Sequence, residues 1–221
     1  MLEKIKGNLV VSTQALEAEP LHSSFIMGRM AVAAKQGGAT GIRAQGVEDI
    51  IEIKRVCDLP VIGIIKRNYK DSDIYITPTK KEVEELLTTN CEMIALDATD
   101  RIRPNGERIE DLISLIHENN VLAMADCSTL EECIKAEQLG FDCVSTTLCG
   151  YTPYSEQVDG PNYAIIEQAV KLIKVPIIAE GKIHYPEQLE RVFKVGAFSA
   201  VVGGAITRPQ EITERFVSFI K

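Results

Sequence analysis

The stretch PVIGIIKRNY, residues 60–69, opens with proline, runs through five residues without charge and stops being apolar at Lys66. Strict alternation of apolar and polar residues would mark a strand with one face in water. An unbroken run such as VIGII instead suits a strand buried on both faces, as in a parallel sheet covered by helices. The outline returns at 176–181, PIIAEG, where proline opens the run and Glu180 ends it. Two doubly buried strands that stop on opposite charges predict that Lys66 and Glu180 share one catalytic mouth.

Working outward, similar runs occur at 9–14 (LVVSTQ), 39–45 (ATGIRAQ), 60–66 (PVIGIIK), 93–99 (MIALDAT), 122–127 (LAMADC), 143–149 (CVSTTLC), 176–181 (PIIAEG) and 199–206 (SAVVGGAI). Between them, apolar residues recur at spacings of three and four. Such stripes are Met27, Met30, Ala31, Ala34; Ile109, Leu112, Ile113, Ile116; Ile166, Ala169, Val170, Ile173; and Ile212, Phe216, Phe219, Ile220. Each can cover a sheet as one face of a helix. Thr79 with Glu82 and Ser128 with Glu131 have capping-box spacing, and Gly37, Gly140 and Gly196 fall where helices should stop. Eight βα units in 221 residues predict an α/β fold of the (β/α)8 TIM-barrel class, one domain over 1–221, since such barrels start at about 200 residues. The rival is an open doubly wound sheet. It would carry a glycine fingerprint after its first strand, and LVVSTQALEAEP, residues 9–20, has no glycine.

Composition sets outer limits. A chain with 25% charged and 45% hydrophobic residues is globular rather than disordered or fibrous. A net charge of −8 disfavours nucleic acid and acidic membranes, whose binding needs a basic surface, so an anionic ligand must find a local positive pocket. No apolar stretch approaches the roughly 18–20 residues that span a bilayer, and MLEKIKGNLVVST lacks the apolar core of a signal peptide. A cytoplasmic protein is expected. Cys57, Cys91, Cys127, Cys133, Cys143 and Cys149 show no CxxC spacing and are expected as buried thiols. Neither metal nor cofactor is expected: none of His22, His117 and His184 ends a strand, and no pair has ligand spacing. His117 falls on a helix surface, while His22 and His184 are within approach of the mouth.

In a barrel, chemistry gathers where strands end. The residues there are Gln14, Arg43 with Gln45, Lys66, Asp97 with Asp100, Asp126, Thr146 with Thr147, Glu180 and the pair Gly203–Gly204. Any one can instead cap a helix or face solvent, the role expected for Asp100 beside Arg101 and Arg103. Lys66 can snorkel to water or pair with a carboxylate. Alternatively, apolar walls and a nearby Arg43 disfavour its charged form and leave free amine to act as base or nucleophile, with Glu180 as acid-base partner. Gly181 and Lys182 of EGK, Gly203–Gly204, and Arg208 of TRPQE, with a helix beginning near Pro209, are expected to make a phosphate site at the last two units, the alternative being that the strand-end glycines serve only close packing. The loop CGYTPYSEQVDGPN, residues 149–162, is longer than the usual βα connection and serves as a lid or a subunit contact.

Taken in order, GIRAQG, GIIKRNY, ALDAT, MADCST, STTLCGYT, IAEGKI and GGAITRP resemble the N-acetylmannosamine-6-phosphate 2-epimerases of bacterial sialic-acid breakdown, over nearly the whole chain. The resemblance implies a metal-independent barrel enzyme that inverts C2 of N-acetylmannosamine 6-phosphate to give N-acetylglucosamine 6-phosphate. It implies Lys66 as the group exchanging the C2 proton, with Glu180 assisting. Gln14, Arg43 and Asp126 would contact the sugar, joined by Thr147 and Tyr151, and Lys182, Gly203, Gly204 and Arg208 would hold the phosphate. It also implies a homodimer whose ligand is a small hexosamine phosphate. A Schiff-base lyase or aldolase acting through Lys66, and a sugar-phosphate-binding protein without turnover, remain as rivals.

Overall fold

In the computed structural model, which describes residues 1–220, each strand pairs in parallel with the next in sequence and the last pairs with the first. The strands are β1 (Leu9–Thr13), β2 (Gly41–Gln45), β3 (Val61–Ile64), β4 (Met93–Asp97), β5 (Leu122–Asp126), β6 (Cys143–Ser145), β7 (Ile177–Glu180) and β8 (Ser199–Val202). Closure sets Val10 opposite Gly41 on one side and opposite Val201 on the other. This is the (β/α)8 barrel expected from the alternation. The helices are α1 (Leu2–Ile5), α2 (Ser24–Gln36), α3 (Val47–Val56), α4 (Lys80–Leu87), α5 (Ile109–Glu118), α6 (Leu130–Leu139), α7 (Tyr163–Leu172), α8 (Pro186–Lys194), α9 (Gly204–Thr207) and α10 (Pro209–Val217). Among the described residues, no helix is long and apolar enough to cross a membrane.

Successive strand residues point to opposite faces, so an unbroken apolar run feeds two cores at once. Val10, Ile62, Ile64, Met93, Met124, Cys143, Ile178 and Val201 fill the barrel, and Ile5 and Phe198 pack at its amino-terminal end. Ile42, Val61, Ile94, Leu96 and Val144 face outward onto Met27, Ile50, Ile53, Leu86, Ile113, Ile116 and Ile166 of the helices. The glycine inside VIGII has a packing reason: a β-carbon at Gly63 would lie 3.1 Å from Cys91, Ile50 and Leu86, so its absence lets α3 and α4 approach the sheet. All six cysteines are free and buried, as expected.

Several element ends differ from expectation. The last strand stops at Val202 rather than at 206, because Gly203 (φ −109°, ψ −100°) turns the chain into α9. The third strand stops at Ile64, and Lys66 lies beyond it in an antiparallel bridge with Ile76. The Thr79–Glu82 capping box is present. The second box, however, joins Thr129 to Glu132, one residue later than the Ser128–Glu131 pair. The shift arises because Glu132 is turned inward and buried: its carboxylate accepts from Ser128 N (2.7 Å), Ser128 Oγ (2.8 Å), Thr129 N (3.1 Å), Asp100 N (3.0 Å) and Tyr154 Oη (2.6 Å). Gly140 ends α6 in the left-handed region and Gly196 follows α8 at φ 104°, where each was expected.

The largest departure is α10. Its expected stripe was to cover the sheet, yet no residue of this helix is buried; Phe216 is 74% exposed, and Phe219, which lies past the helix end at Val217, is 81% exposed. After the turn at α9, α10 packs chiefly on α9 and not on a strand.

Glu132 gathers five donors from three segments, so its loss should be costly for a surface-facing loop. Glu132→Ala should lower the unfolding free energy by about 3 kcal/mol, against about 1 kcal/mol for Tyr154→Phe, which removes one of the donors. Chemical denaturation followed by circular dichroism measures both; equal, small effects would contradict the role given to this carboxylate.

Candidate active site

A cavity of about 420 Å³ opens at the carboxyl ends of the strands. Gln14, Arg43, Lys66, Thr147, Tyr151, Glu180, Gly181, Lys182, Gly203, Gly204 and Arg208 all line it, so residues from across the whole chain meet in one place. Asp126 does not line it: the side chain is fully buried beneath Arg43. Ser12, Tyr75, Thr207 and Glu211 line the cavity without having been expected there, with Ile64, Ile76, Leu148 and Val201 as apolar walls. Of the histidines, His184 lines it, His22 is bound by its ring to the Ala15 carbonyl, and His117 is on the surface pairing with Asp142. Asp97 is buried in a pair with Arg101, and Asp100 pairs with Lys135 at the surface.

Arg43 lies near the middle of β2 and points into the barrel, with its side chain 1% exposed. Its Nη2 donates to Asp126 Oδ2 at 2.5 Å, and its Nη1 reaches Asp126 Oδ1 at 3.0 Å and Glu180 Oε2 at 2.6 Å. Thr147 Oγ1 bridges the two acids, 2.7 Å from Asp126 and 3.0 Å from Glu180. Burial opposes the guanidinium charge, but Asp126 and Glu180 outweigh it and hold Arg43 above its ordinary value. Its Nε–H has no acceptor among the described residues, which leaves one buried donor unspent.

Around this hub two titrating groups are displaced toward neutrality. Burial pushes the Glu180 carboxyl up to about 7 against the pull of Arg43, and the charge of Asp126 adds to the push. Glu180 Oε2 is taken by Arg43 and Thr147, whereas Oε1 has no partner among the described residues. Burial pulls Lys66 down to about 8, helped by Arg43 and Arg208 and resisted by Glu180 and Glu19. Lys66 forms no ion pair among the described residues. Its position is fixed by the bridge to Ile76 and by Thr77, whose N–H donates to Ile65 O at 2.7 Å from a backbone at φ 44°. That conformation is unfavourable for a β-branched residue and is held by the surrounding packing.

The loops after β6, β7 and β8 form the outer wall. The Lys182 ammonium donates to Val158 O at 2.9 Å and lies 5.6 Å from the Tyr151 ring, which ties the 149–162 loop to the loop after β7. Tyr154 and Thr152 pin the same loop to Glu132 and Ser128. Gly181 has φ 104° and packs against the Thr146 and Thr147 carbonyls. Arg208 Nε lies 2.7 Å from Glu19 Oε1, and its Nη1 3.2 Å from Glu211 Oε1. Ser12 could have been found from Gln14, since both sit on the inward phase of one strand. Tyr75 lies in an irregular loop that carries no periodic signal.

The chain matches, over residues 27–221, the family model described as N-acetylmannosamine-6-phosphate epimerase. It is similar to relatives named as N-acetylmannosamine-6-phosphate 2-epimerases from Clostridium perfringens strain 13, 67% identical over 100% of both chains, and from Clostridioides difficile strain 630, 66% identical over 100% of this chain and 99% of the relative. The solved structure of the N-acetylmannosamine-6-phosphate 2-epimerase from Clostridium perfringens is 67% identical and superposes with a TM-score of 0.98, covering 99% of this chain and 96% of that one. A thiamine phosphate pyrophosphorylase from Pyrococcus furiosus, 19% identical with a TM-score of 0.64, shares the fold alone. With the ordered motifs carried on eight closed strands and matched along the chain, this protein belongs to the N-acetylmannosamine-6-phosphate epimerase family.

Proposed function

We propose that the chain is an isomerase that interconverts N-acetylmannosamine 6-phosphate and N-acetylglucosamine 6-phosphate by proton exchange at C2, in amino-sugar and sialic-acid breakdown. One observation carries the mechanism: Lys66, half-buried and with its pKa lowered to about 8, lines the same cavity as Glu180, raised to about 7. At pH 7 about a tenth of such a lysine is free amine, a substantial pool for a general base.

The C2 proton is acidic only while C1 is a carbonyl, so the pyranose opens first. Glu180 serves that step through Oε1, the oxygen left free by Arg43 and Thr147. Neutral Lys66 then takes the C2 proton, and the electron pair passes to the C1 oxygen as an enolate. The Arg43 guanidinium, preset by its two carboxylates, stabilises that charge without reorganising. Return of a proton to the opposite face of C2 inverts the centre. Gln14, Thr147 and Tyr151 contact the sugar, and Asp126 acts on it through Arg43. Gly181, Lys182, Gly203, Gly204 and Arg208 hold the phosphate, which lets a chain of net charge −8 accept an anion. A cytoplasmic site of action suits a phosphorylated substrate.

We also propose a homodimer, in which the exposed apolar residues at the end of α10 and just beyond it meet a second copy. Phe216, Phe219 and Ile220 are each more than two-thirds exposed, which is costly for a lone chain in water.

Three outcomes follow. In deuterated water, proton NMR should show loss of the substrate C2–H signal together with growth of the gluco isomer; Lys66→Ala should cut kcat by at least about a hundredfold with little change in KM. Retention of the C2 proton during turnover would sink the mechanism. The active form needs Lys66 neutral and Glu180 protonated, so kcat/KM should fall below pH about 7 and above about 8. In this scheme the alkaline fall belongs to ionisation of Glu180. Glu180→Gln should therefore abolish the alkaline fall and leave a single rise governed by Lys66; an alkaline fall that survives contradicts the assignment of Glu180. Finally, light scattering should give a dimer mass, and Phe216→Glu should shift it toward monomer.

A further inference from the structure

Arg208 is engaged by two carboxylates. Glu211 Oε1 lies 3.2 Å from its Nη1. The second oxygen, Oε2, rests so close to Gly204 that a β-carbon there would collide with it. In this rotamer the carboxylate fits because residue 204 carries no side chain. On the other side, Glu19 lies 2.7 Å from Arg208 Nε. One cation thus faces two carboxylates at the place where the phosphate should lie, and the Lys182 ammonium is directed at the Val158 carbonyl. Arg208, Glu19 and Glu211 together carry a net charge of about −1 near neutral pH, which would repel a phosphate dianion.

The two acids are not equivalent. Glu19 also accepts from the Leu16 backbone N–H at 2.5 Å, which fixes it in the loop after β1. Glu211 has no hydrogen-bond partner but Arg208 among the described residues, sits in the first turn of α10 and has a side chain 42% exposed. A change of rotamer takes it to water without breaking anything else, and it uncovers Arg208 and the surface of Gly204 together.

We propose that Glu211 is an internal competitor for the substrate's phosphate: its carboxylate occupies Arg208 and the face of Gly204 until the phosphate displaces it, and so it sets the affinity for phosphorylated ligands. This rests on the assignment of Arg208 and Gly204 to the phosphate site. The displacement subtracts from binding energy that is equal in ground and transition states, so it raises KM without slowing the chemical step and keeps the product from being held too tightly.

Isothermal titration with inorganic phosphate, backed by steady-state kinetics, tests the idea on wild type, Glu211→Gln and Arg208→Ala. Glu211→Gln should bind phosphate about tenfold more tightly and lower KM by a similar factor without raising kcat, the order expected when one partly exposed like charge is removed. Binding of unphosphorylated N-acetylmannosamine should not change. Equal or weaker phosphate binding by Glu211→Gln, with Arg208→Ala still weakening it, overturns the competitor role and leaves the phosphate site standing. Phosphate binding indifferent to Arg208→Ala overturns the site itself, and the proposal with it.

Discussion

A guanidinium that is 1% exposed can remain charged at the mouth of a barrel only because carboxylates from two other strands share it. Removing one partner from such a buried cluster leaves an uncompensated charge, at a cost of about 3–5 kcal/mol, so Arg43, Asp126 and Glu180 stand or fall together. The cluster ties β2 to β5 and β7 across the barrel, and it also sets the chemistry. Its positive member depresses Lys66, and its second acid helps keep Glu180 from ionising. Structure and reactivity at this site are one electrostatic arrangement.

That arrangement needs a dry, rigid surround. Apolar residues of β3 and β8 and of the bridging segment around Ile76 form the walls, and Thr77 holds an unfavourable backbone angle to keep that segment against Lys66. The outer loops are fastened rather than loose. Glu132 pins the 149–162 loop through Tyr154, and Lys182 ties it to β7. A site built this way keeps its groups in place before substrate arrives, which suits a reaction whose catalysis is mainly proton transfer and charge stabilisation.

Much of this was legible in the residues alone, for physical reasons. Doubly apolar runs with proline before them and a polar group after them mark both the strand and its carboxyl end, so Lys66 and Glu180 could be placed at one mouth from sequence. What escaped was decided by tertiary contact. Ser128–Glu131 and Thr129–Glu132 have the same spacing, and only the inward turn of Glu132 toward Asp100 and Tyr154 selects the second. The stripe on α10 has helical periodicity, but periodicity does not say which surface a helix will meet. Nothing in the sequence marks Glu211, whose place beside Arg208 is set by the contact of its carboxylate with Gly204. The depth of Asp126 beneath Arg43 is likewise set by tertiary contact, since a strand end places a residue near the mouth without fixing how far below it the side chain lies.

The pairing of β8 with β1 has a consequence for biosynthesis. Thr207 donates to the Ser12 carbonyl across 195 positions of sequence, and Arg208 meets Glu19 across the same seam. The amino-terminal half leaves the ribosome long before its partner exists, and its first strand must wait with one edge unsatisfied until the final segment emerges. The wall proposed to hold the phosphate is therefore the last part of the molecule to be assembled, and a chain released early lacks it.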